Sequence, residues 1–158
     1  LGGPLFGWLM KHREHDQPLP AALADLIRER AHELAAHHAF VAVIPVPSQR
    51  WAQRDQVATL IADALGVPAL TDTLTWRDPP TDTQDALANN DQRRHNVDNK
   101  LALTRPLPAG DLLVLDDIIG SGATLREAGR ALGKQARRNG ALVPLTLARV
   151  RRRLGASR

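Results

Sequence analysis

Hydrophobic positions along the chain switch repeatedly between two periods. Leu23, Leu26, Ile27, Ala31 and Leu34 recur every three or four residues, which predicts a helix over 20–38 with one buried face. The continuous apolar run 40–46 ends in P-V-P and predicts a strand buried on both sides that then leaves its sheet. Val57, Ala58, Ile61, Ala64 and Leu65 restore the helical period over 50–65, with Gly66 as the stop. A short strand is expected near 69–74. Residues 76–99 break the rhythm with a polar, prolyl excursion, which in a tight domain marks a functional or disordered segment. After it come an L-A-L-T strand, a P-L-P-A-G-D turn, a second apolar run at 112–115, a helix over 122–139 and a last strand over 142–148, where Pro144 suits an edge or a strand start. Alternating strands and helices predict an α/β fold: an open, mainly parallel sheet with helices on both faces and a small hood at 76–99. No internal repeat or low-complexity tract is present.

The segment L-L-V-L-D-D-I-I-G-S-G-A-T-L, 112–125, outlines a ligand site. A buried parallel strand ends in Asp116 and Asp117, whose carboxylates are expected at the C-terminal edge, where open α/β sheets bind ligands. Gly120, Ser121, Gly122, Ala123 and Thr124 then offer backbone N–H groups at a helix N-terminus, which suits a phosphate. Acids for sugar hydroxyls beside amides for a phosphate imply a phosphorylated sugar. A dinucleotide fingerprint would place its glycines after the first strand with an acid about 20 residues later, the reverse of the order here. The plainer alternative is a solvated Asp pair and a Gly-Ser turn. The order of strand, acids, loop and helix favours the site.

A second strand-to-helix turn, I-P-V-P-S-Q-R at 44–50, exits a buried strand in the same way. Pro47, Ser48, Gln49 and Arg50 bring hydroxyl, amide and guanidinium donors suited to a diphosphate. Taken alone it reads as an ordinary turn with Ser48 as N-cap; two such strand ends facing one crevice favour the site.

At 158 residues the chain is expected to form one domain, burying about 70% of its unfolded surface. It has no Cys, which excludes disulfides and cysteine zinc sites. The six His, at 12, 15, 32, 37, 38 and 95, lack metal-site spacing, and His37 and His38 suit a helix C-terminal end. No metal held by protein side chains is expected. No apolar stretch reaches membrane-spanning length and no basic leader opens the chain, so a cytosolic location is expected. Because it begins at Leu1 rather than Met, a longer parent protein is expected too.

The 112–125 segment closely resembles the 5-phosphoribosyl-1-pyrophosphate (PRPP) motif of type I phosphoribosyltransferases. The wider order of P-V-P, helix, excursion with Gln and R-R-x-N, acid-pair motif and final L-A-R strand resembles the ComF family across nearly the whole chain. The resemblance implies that Pro47 to Arg50 form the pyrophosphate loop, that Asp116 and Asp117 meet the ribose hydroxyls, and that Gly120 to Thr124 cradle the 5-phosphate. It places Arg77, Gln84, Arg93, Arg94 and Asn96 in or beside a mobile hood. It further implies displacement of pyrophosphate at ribose C1 by a nitrogen nucleophile, with Mg²⁺ carried by PRPP. Two departures stand out. Arg54-Asp55-Gln56 occupies the place of the R-G-F-N-Q segment of competence proteins, and their cysteine-rich zinc module is missing. Both shift weight toward the similar domain appended to some RecQ-type DNA helicases, and the two branches stay open at this level. The acceptor is not specified; Trp76 serves either as a stacking platform or as a packing anchor.

The net charge is +4, with 18 Arg and 3 Lys, and basicity of this size points only weakly to anionic partners. Arg126, Arg130, Lys134 and Arg137 or Arg138 form a stripe opposite Leu125, Ala128, Gly129 and Leu132, and the tail adds Arg149, Arg151, Arg152, Arg153 and Arg158. A solvated helix face explains the stripe by itself. With the tail, nonspecific contact with DNA phosphates is expected.

Overall fold

A computed structural model describes residues 3–77, 98–136 and 140–150. The elements are α1 (Pro4–His12), α2 (Ala21–Ala35), β1 (Phe40–Pro45), α3 (Arg54–Leu65), β2 (Leu74–Trp76), β3 (Leu101–Leu103), β4 (Asp111–Ile119), α4 (Ala123–Ala136) and β5 (Leu142–Arg149). The main sheet runs β1-β4-β5, all parallel, with Pro45 opposite Leu115 and Val114 opposite Pro144. β2 and β3 form a separate antiparallel pair.

Strand alternation splits the core into two layers. Val43, Leu113 and Leu115 pack with Leu5, Leu9, Leu23, Ile27, Val57 and Ile61 of the first three helices. Ala42, Ile44, Leu112 and Val114 face the other way, onto Ala128 and Leu132 of α4 and Leu74 and Leu101 of the small sheet. This covering of both faces is why β1 and the 112–115 stretch of β4 are apolar at every position. Truncating one of these Leu side chains to Ala costs about 2–5 kcal/mol. The expected α/β architecture, a mainly parallel sheet with helices on both faces, is the one observed.

Several boundaries differ from expectation. The 69–74 strand reduces to one parallel bridge, Val43 with Ala69, and pairing resumes only at Leu74, in the small antiparallel sheet. The L-A-L-T segment belongs to that small sheet as well. α3 starts at Arg54 rather than at residue 50, with Gln53 rather than Ser48 as its N-cap. Gln53 is buried, its amide donating to the carbonyls of His12, His15 and Gln17, so the chain before α3 stays folded against the α1–α2 connection. Gly66 ends α3 at φ 68°, as its position predicts. α1 was not expected from the sequence. It is nine residues long, begins on Pro4 and buries only Leu5 and Leu9, one apolar pair at i,i+4. Among the described residues, no helix is long and apolar enough to cross a membrane.

Candidate functional site

β1 and β4 are neighbours in parallel, so the loops that follow them leave the same sheet edge side by side. Pairing runs one residue past β1, where the Val46 N–H donates to Leu115 O at 2.8 Å, and there the diphosphate-loop candidate begins. β4 does not stop at the acids. It continues to Ile119 along β5, so Asp116 and Asp117 sit on a strand paired on its β5 side after β1 has ended.

Both acids are buried, at 8% and 7% exposure. Asp116 Oδ1 accepts the Asp117 N–H at 2.9 Å, and Asp117 Oδ1 accepts the Ile118 N–H at 2.7 Å. Asp117 Oδ2 lies 3.1 Å from the Arg13 guanidinium, just after α1. Burial, and then the charge of Asp117, push the Asp116 carboxyl up to about 8. Burial raises Asp117 too, opposed mainly by Arg13. Near neutral pH the pair therefore retains a proton that separate, hydrated carboxylates would have lost.

The other loop closes on itself through the Arg50 N–H, which donates to Ser48 Oγ at 3.2 Å. The Pro47 carbonyl accepts from Trp76 Nε1 at 3.0 Å, so Trp76 anchors the base of the small sheet to this loop. The Arg50 guanidinium pairs with Glu14. Gln49 is exposed.

In the glycine loop, Ser121 Oγ accepts the Ala123 N–H at 3.3 Å, and Gly122 adopts φ +77°, a left-handed turn that a side chain would strain. α4 then begins with no acid in its first turn, leaving the positive end of its dipole facing the loop. Gly120 is exposed and Thr124 half-buried. Arg126 bends back to this loop, donating to Ser121 O at 3.0 Å. Arg130 grips the buried Glu127 and the Leu101 carbonyl. Both side chains thus make local contacts in addition to lying on the exposed side of α4.

Arg77 is exposed at the end of β2, its N–H donating to Lys100 O at 2.7 Å. Gln84, Arg93, Arg94 and Asn96 lie outside the described residues, as do Arg137, Arg138, Arg151, Arg152, Arg153, Arg158 and the Lys134 side chain. Arg13 and Glu14 carry no sequence signal: the Arg13–Asp117 contact spans 104 residues. No group of three or more His, Cys, Asp or Glu able to hold a metal occurs among the described residues.

The architecture is the type I phosphoribosyltransferase fold. An adenine phosphoribosyltransferase superposes with a TM-score of 0.51 at 14% identity, over 81% of this chain and 68% of that one. The adenine phosphoribosyltransferase of Leishmania donovani gives 0.51 at 11% identity, over 91% and 67%. At such identities the likeness establishes the fold alone. No family model matches the sequence, and no curated protein does.

Proposed function

We propose that this chain is a single PRPP-binding domain of phosphoribosyltransferase type. The observation that carries this is the adjacency of β1 and β4, which places the P-S-Q-R loop, the acid pair and the G-S-G-A-T loop on one sheet edge. On this reading the amides of residues 120–124 hold the 5-phosphate. Asp116 and Asp117 accept the ribose hydroxyls, and residues 47–50 hold the diphosphate. The solved structures that share the fold include enzymes named for phosphoribosyl transfer to adenine, which supports a ribose-phosphate ligand.

Mg²⁺ would arrive on the oxygens of PRPP and neutralise the leaving diphosphate. The chain's own residues position the sugar, screen charge and keep C1 open to a nitrogen nucleophile. Calorimetric titration with Mg-PRPP tests this. Wild type should bind, ribose 5-phosphate should bind more weakly, and Asp116→Asn with Asp117→Asn should lose PRPP while remaining folded. Full affinity in the double variant would overturn the assignment of the acids. A noncatalytic use of the same site, sensing PRPP or docking DNA or a partner, is separated by a turnover assay across bases and amines.

For the biological setting we propose DNA metabolism, as a ComF-like competence domain or a domain linked to a RecQ-type helicase. It is supported by the ordered motifs and the basic tail. If it holds, DNA binding weakens steeply with salt, and replacing Arg151, Arg152 and Arg153 by Ala flattens the log–log slope by about 2 to 3 units; an unchanged slope would remove the tail from the account.

A further inference from the structure

Two consecutive residues of opposite charge, Arg13 and Glu14, reach the two halves of the site. Arg13 meets Asp117 at 3.1 Å in a pair whose side chains are only 14% and 9% exposed. Glu14 pairs with Arg50, the only guanidinium in the P-S-Q-R loop, and their side chains are 46% and 41% exposed respectively. The corner is pinned from behind. The Ala52 N–H donates to Arg13 O at 2.7 Å, and the buried Gln53 amide binds the carbonyls of His12, His15 and Gln17. Glu14 is therefore held near Arg50 at little further cost in chain ordering.

We propose that Glu14 sets the affinity of the site for a diphosphate by competing for Arg50, with Arg13 as the anchor that fixes the corner in place. The inference rests on the PRPP reading and adds to it an affinity-determining residue that no motif marks. A carboxylate engaging the Arg50 fork occupies donors that a diphosphate would use, so the ligand must displace Glu14 or share the guanidinium. Ribose 5-phosphate has no diphosphate and should leave the pair intact.

The test is calorimetry at low salt on the full chain, comparing wild type, Glu14→Gln, Arg50→Met and the double variant with Mg-PRPP and with ribose 5-phosphate. A half-exposed pair is weak, so Glu14→Gln should bind Mg-PRPP about two- to fivefold more tightly. Ribose 5-phosphate affinity should not change, and the gain should vanish when Arg50 is Met. Unchanged or weaker PRPP binding in Glu14→Gln, with wild type still binding, would overturn the competition alone. Equal tightening for both ligands, or a gain that persists without Arg50, would do the same by assigning the effect to net charge. Absence of PRPP binding by wild type would remove the ligand reading, and this inference with it.

Discussion

Asp116 loses most of its water on folding and faces a second carboxylate one residue away, so its proton is held up to about 8, while Arg13 opposes the same rise at Asp117. The sign of the effect on stability follows. Between its ordinary value of 3.8 and about 8, the folded chain keeps a proton that the unfolded chain has released. The contribution to stability is therefore fully present below the lower value and is lost as pH rises through the upper one. The melting temperature of the ligand-free protein should fall between roughly pH 4 and roughly pH 8 and level off above that. Asp116→Asn has no proton to lose, so it should melt higher on the alkaline side and show a flatter profile, while binding PRPP less well. Melting curves across that range check this; equal slopes in variant and wild type would show that Asp116 is not the group that titrates.

α4 joins the glycine loop at its N-terminus to the small sheet along its side. Glu127 is buried and accepts the Leu101 N–H at 3.1 Å, and Arg130 binds both Glu127 and Leu101 O. The pair thereby satisfies both main-chain polar groups of Leu101, as a neighbouring strand would. The helical spacing of Arg126 and Arg130 is legible in the sequence; the bond from Arg130 to Leu101 O is not, because the two residues lie 29 apart. Burial pushes the Glu127 carboxyl up, but Arg130 and the Leu101 and Asn99 N–H groups outweigh it and hold the group below its ordinary 4.5. This stabilisation is present above that value and fades as pH falls through the depressed one. Glu127→Ala should cost about 1.5–3 kcal/mol, lowering the melting temperature by roughly 3 to 12 °C, and should flatten the acid side of the profile. A change within about 0.5 kcal/mol would mean that solvent replaces the clamp.

At the scale of the molecule, what the sequence revealed is what burial on two faces imposes. β1, β4 and β5 and the inward faces of α2, α3 and α4 stand close to their expected positions, because each presents a periodic apolar set to a core. The two loops and the acid pair were legible from their order along the chain. The continuation of β4 past the acids was not, since pairing to β5 decides it rather than composition. Nor was the antiparallel pairing of Leu74 with Leu103, or the corner after α1 that brings Arg13 to Asp117, because these are contacts between distant segments. Whether this edge takes PRPP is measured most directly by the melting temperature of the protein with saturating Mg-PRPP. Ligand at about 100 times its dissociation constant adds about 2.7 kcal/mol. In a chain of this length that raises the midpoint by roughly 5 to 10 °C, with a smaller rise for ribose 5-phosphate. No shift with either ligand at millimolar concentration would contradict the account.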